Sequence, residues 1–96
     1  MLDYLDMDMF GLDIPVDSTI DISRIVVKAE YQNGAKKKLP FASLTWSLLS
    51  APSGGTLVGS QFTAPSTPYS FCILHCEYSE HGVDARMDFT ASTVPK

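Results

Sequence analysis

Hydrophobic and polar positions alternate along most of this chain with a period of two, the spacing of a strand whose successive side chains point to opposite faces. In Leu44-Thr45-Trp46-Ser47-Leu48 the three large apolar residues share one face, and the hydroxyl residues take the other. From about Ile20 to Tyr31 a longer strand is predicted. Its residues Ile25, Val27, Ala29 and Tyr31 share one parity while Ile20 and Ile22 hold the opposite one, which calls for a bulge near Ser23-Arg24. Further strands are expected at Leu12 to Val16, Thr56 to Val58, Gln61 to Thr63, Tyr69 to Tyr78 and Val83 to Ser92. Turn residues punctuate them: Asn33-Gly34, the loop from Ala51 to Gly55, the Ala64 to Pro68 crossover with Pro65 and Pro68, and Ser79 to Gly82. Seven short strands with hardly a helix read as an all-β, antiparallel sandwich.

Residues 1–11 break this rhythm. Leu2, Leu5 and Met9 are spaced near three and four, Tyr4 and Phe10 flank them, and Gly11 stands where a helix could end. A helix this short needs a surface to pack on, because isolated helices below about 12 residues are marginal in water. The segment therefore reads as an arm, either capping its own domain or docking on a partner through Leu2, Tyr4, Leu5, Met9 and Phe10. Residues 12–96 form the sandwich domain, and 96 residues leave no room for a second.

Charge sharpens the division. The first 21 residues hold six aspartates (Asp3, Asp6, Asp8, Asp13, Asp17 and Asp21) and no basic residue, while the remainder holds five acidic and seven basic residues. A net charge of -4 argues against a nucleic-acid partner, whose affinity rests on Lys and Arg neutralising phosphates. The one basic cluster, Lys36-Lys37-Lys38, follows the Asn33-Gly34 turn and reads as a solvated edge whose lysines discourage strand pairing, ahead of a phosphate-binding patch. The aspartate spacing does not match a calcium loop. No apolar run reaches the ~18 residues of a membrane span, and the acidic N-terminus differs from a secretory signal, so the chain reads as one made and kept in the cytoplasm.

No pattern for catalysis, a metal or a cofactor emerges. Cys72 and Cys76 lie four apart on one expected strand, about 13 Å at roughly 3.3 Å per residue, too far for a disulfide. His75 falls on the opposite parity, so the three cannot converge on zinc. His81 reads as an exposed turn residue, and no serine sits in a nucleophile elbow.

The segment Leu44 to Ile73, with W-S-x-x-S, a Gly-rich turn, Phe62-Thr63-Ala64-Pro65 and the following Tyr69-Ser70-Phe71 strand, resembles bacterial immunoglobulin-like domains of the group 2 kind over about residues 12–94. The resemblance implies a seven-stranded antiparallel immunoglobulin-like β-sandwich with a short N-terminal arm. It also places Phe71 and Ile73 inward, leaving Cys72, Leu74 and Cys76 on an apolar outer face that the arm, another copy or a partner would cover; a one-residue shift would put Cys72 and Leu74 in the core and Phe71 outside. Members of that family are mostly non-catalytic modules of surface adhesins and of bacteriophage virions. With no neighbouring repeat and no export signal, the resemblance implies a small virion accessory protein that binds a capsid or tail protein. Its alternatives are an excised adhesin domain at the bacterial surface, or a carbohydrate-binding module using Tyr4, Tyr69 and Tyr78.

Overall fold

A computed structural model describes residues 1–9 and 11–96, and Phe10, one of the expected docking residues, lies outside the described residues. Among the described residues ten strands follow one another: β1 Leu2–Met7, β2 Gly11–Pro15, β3 Thr19–Asp21, β4 Val27–Tyr31, β5 Lys36–Leu39, β6 Thr45–Ser50, β7 Thr56–Val58, β8 Gln61–Thr63, β9 Phe71–Glu80 and β10 Val83–Val94. They form three sheets in the orders β1-β4-β5, β2-β10-β9-β6 and β3-β8-β7. All pairings are antiparallel except that of β2 with β10, which is parallel. Residues from all three sheets meet in one core, with Val27, Ile14, Leu74, Phe89 and Phe62 each almost wholly buried.

The seven expected strands are all present, and the additional ones have local causes. The Ile20 to Tyr31 run divides into β3 and β4 because Ile22–Arg24 form a 3-10 turn, capped by Asp21, whose carboxylate accepts from the Ser23 amide at 3.0 Å. This turn, in place of a simple bulge, reconciles the two parities and sends Ile22, Val27 and Ala29 into the core. The Asn33-Gly34 turn folds Lys36–Leu39 back on β4 as an edge strand. Lys36, Lys37 and Lys38 are exposed there, and Lys36 pairs with Glu30 at 3.5 Å.

The expectation of an N-terminal helix is overturned. Leu2–Met7 pairs antiparallel with β4, Leu5 opposite Ala29 and Met7 opposite Val27. A register irregularity between Leu2 and Tyr4 changes the parity of the strand, so that Leu2, Leu5 and Met7 all face inward. A spacing of three between buried leucines here reports an irregular strand rather than a helical turn. Gly11 does not end a helix; it opens β2, where a Cβ would stand 2.9 Å from the Thr90 carbonyl oxygen, so glycine is what lets β2 approach β10.

A two-residue turn, His81-Gly82, joins β9 to β10 with φ of 50° and 80°, the left-handed pair that a tight hairpin requires. It sets Glu80 opposite Val83 and thereby fixes every pair along the longest ladder of the fold.

Candidate interaction surfaces

The hairpin register decides the faces of β9. Cys72 lies opposite Ala91, Leu74 opposite Phe89 and Cys76 opposite Met87, and all three β9 residues are fully buried. The other face pairs Phe71 with Ser92, Ile73 with Thr90, His75 with Asp88 and Glu77 with Arg86. The outward placement of Cys72, Leu74 and Cys76 is therefore corrected: these residues belong to the core, and Phe71, expected inside, is 60% exposed. Polar residues at every second position of β10 opposite Phe71, Ile73 and His75 carried this information, once the two-residue turn is used to count the pairs.

Burial also removes two of the arm residues from any external contact. Leu2 and Leu5 are core, whereas Tyr4 and Met9 stay at the surface. Among the described residues, the expected docking side chains are thus divided between the interior (Leu2, Leu5) and the outside (Tyr4, Met9).

The thiols are free and inert by environment. Burial raises the Cys72 pKa, and burial followed by the nearby Glu77 charge pushes Cys76 up to about 12, so neither forms a thiolate near neutral pH. The Trp46 strand has the expected faces, with Trp46 and Leu48 partly buried against the core and Thr45 and Ser47 exposed. The Trp46 indole Nε1 is buried with no acceptor among the described residues.

On the outer face of the four-stranded sheet, His75 lies between two carboxylates. Its Nδ1 is 2.7 Å from Asp88 and its Nε2 3.0 Å from Glu77. Hydrogen bonds to Asp88 and then to Glu77 hold its pKa above the ordinary 6.5, since both favour the imidazolium, which donates from each nitrogen. With both ring nitrogens engaged by carboxylates, one on its own strand and one on the next, the side chain ties β9 to β10. No group of three or more His, Cys, Asp or Glu side chains is placed to hold a metal ion among the described residues.

Three exposed apolar side chains lie toward the end of this sheet where β9 begins, apart from Val58 of β7 and Met1 and Tyr4 at the N-terminal strand. Tyr69 is 76% exposed, Phe71 60% and Leu49 of the adjacent β6 59%. The entry to β9 is pinned by the Tyr69 amide, which donates to the Thr93 carbonyl at 2.8 Å, and by the Ser70 amide, which donates to Thr93 Oγ1 at 2.8 Å. Tyr69 itself has φ of 59°, a left-handed conformation that costs a bulky residue on the order of 1 kcal/mol or more and persists where the surroundings impose it. Elsewhere, an open groove of about 500 Å³ is lined by Met9, Leu12, Ile20, Ile25 and Phe89, with Arg24 and Asp21 beside them.

No helix among the described residues is long and apolar enough to cross a membrane. No family model, curated protein or solved structure matches the chain.

Proposed function

We propose that this chain is a non-catalytic binding module of the immunoglobulin-like kind, attaching to a larger protein assembly through the outer face of the β2-β10-β9-β6 sheet at its Tyr69-Phe71 end. The strand order supports the immunoglobulin-like reading: a terminal strand runs parallel to the last strand in one sheet, and the Trp46 strand lies at its far edge. The observation that carries the binding role is the exposure of Phe71 and Tyr69 on backbone held by Thr93. Aromatic side chains fixed on a rigid strand lose little entropy on docking and supply large contact areas, which is why such residues dominate interface energetics. A small virion accessory protein, seated on a capsid or tail protein, fits a module of this size and acidity. The N-terminal strand, being part of the sheet, serves the fold in this reading rather than the attachment.

Co-sedimentation of the purified chain with the capsid or tail particles encoded beside it tests the reading. Binding that saturates with the wild-type chain and weakens at least tenfold in Phe71→Ser supports it; a chain left in the supernatant, or binding indifferent to Phe71→Ser and Tyr69→Ser, contradicts it. A carbohydrate-binding role has the same two exposed aromatics in its favour, since sugar rings stack on such faces, and retention on polysaccharide columns distinguishes it.

A further inference from the structure

Among the described residues each sheet has two terminal strands with one edge apiece outside the ladders, and five of the six are blunted. β5 carries Lys36, Lys37 and Lys38; β1 carries Asp3 and Asp6; β2 carries Asp13 and ends on Pro15; β3 and β7 run only three residues. Charge, proline and shortness are the usual means of preventing one sheet edge from pairing with another. β6 is the exception. Its six residues, Thr45-Trp46-Ser47-Leu48-Leu49-Ser50, include no charge and no proline. Its ladder runs to β9 alone, and none of the backbone hydrogen bonds recorded outside the strand ladders among the described residues involves it.

We infer that β6 is a self-association edge, where a second copy of this chain adds its own β6 antiparallel across a two-fold axis and extends the four-stranded sheet into one of eight. The occupant follows from charge. In any antiparallel register, β6 against β6 sets neutral side chains opposite neutral ones, whereas β5 against β5 sets lysine opposite lysine, which is destabilising. A two-fold makes the contact self-complementary and closed, so one edge satisfies the other and the assembly stops at two copies. The side chains agree with this. Thr45 and Ser47 are exposed along the edge, and the irregularity between Leu48 and Ser50 throws Leu49 out of the ladder, 59% exposed, where it would add an apolar contact to the backbone pairing. Each copy carries a net charge of -4, so association should strengthen as salt screens the repulsion.

Sedimentation equilibrium of the full chain, from micromolar to millimolar concentration, reads this directly. The expected result is a rise from the 10.5 kDa of one chain to twice that mass, at lower concentration in high salt than in low. Ser47→Lys, and separately Leu49→Lys, should hold the mass at one chain while circular dichroism and the melting transition stay as in the wild type, because both positions are exposed. Lys37→Ser, on the blunted edge, should leave the dimer unchanged. A wild-type chain that stays at one-chain mass at millimolar concentration overturns the inference. So does a dimer that survives both lysine substitutions, or an association that grows past two copies.

Discussion

The hydroxyl of Tyr31 donates to the carboxylate of Glu80 at 2.9 Å, tying β4 in one sheet to the end of β9 in another. The same Glu80 oxygen accepts from Tyr78 at 2.8 Å, so three side chains share one clamp between layers. The hydrogen bond from Tyr78, then that from Tyr31, holds the Glu80 pKa below its ordinary 4.5. The phenols move the other way: the bond to Glu80 and then burial raise Tyr78 to about 12, while burial and then Glu80 raise Tyr31.

From this clamp a pH dependence follows at both ends of the scale. A lowered carboxylate pKa contributes stability that is present above 4.5 and is lost as pH falls through the folded-state value. A raised phenol pKa contributes stability that is full below 10 and is lost as pH rises toward about 12. Spectrophotometric titration should show Tyr4, Tyr31 and Tyr78 ionising later than free tyrosine, and Glu80→Gln should bring Tyr31 and Tyr78 earlier while leaving Tyr4, which answers to Glu30, in place. Unchanged titration in that variant would remove the clamp from the fold.

The N-terminal strand should behave as core. Leu5 is 3% exposed opposite Ala29, so Leu5→Ala should cost about 2 to 4 kcal/mol in urea unfolding, the range for emptying a buried leucine site. Tyr4→Ala, at an exposed position of the same strand, should cost about 1 kcal/mol or less. A chain shortened by residues 1–8 should lose its cooperative transition, because β4 would lose its ladder on one side and the core would lose Leu2, Leu5 and Met7.

Cys72 and Cys76 should be silent until the domain unfolds. Both are fully buried and their thiols are held protonated, so a thiol reagent at neutral pH should label the native chain slowly and the denatured chain at two sites within the mixing time. Reductant should leave the melting temperature unchanged, since both cysteines are free. Rapid native labelling at either site would place it outside the core.

Period-two alternation located seven strand segments because each buries one face, and Asn33-Gly34 announced a hairpin by residue type, while the turn read at Ser79 to Gly82 is the tighter His81-Gly82 pair. The N-terminal strand escaped because its irregularity between Leu2 and Tyr4 spaces the buried leucines by three, which imitates a helical period. Its partner, β4, pairs with it across separations from 29 residues (Leu2 with Tyr31) down to 20 (Met7 with Val27), and no local pattern reports such a pairing. The faces of β9 were ambiguous because Phe71, Cys72, Ile73 and Leu74 are all apolar, so the strand alone carries no alternation there. Only the partner strand resolves it: Ala91 and Phe89 stand opposite Cys72 and Leu74, and Ser92 and Thr90 opposite Phe71 and Ile73. The exposed aromatic pair, Tyr69 and Phe71, was hidden for the same reason.

Which face of β9 is buried determines where the proposed attachment surface lies, and one unfolding experiment reads it. Phe71→Ser, measured by urea denaturation, should shift stability by about 1 kcal/mol or less, because a residue 60% exposed opposite Ser92 contributes little to the core. A loss of about 3 kcal/mol or more, the cost of emptying a buried phenylalanine site, would place Phe71 inside and remove the basis of the proposed interaction surface.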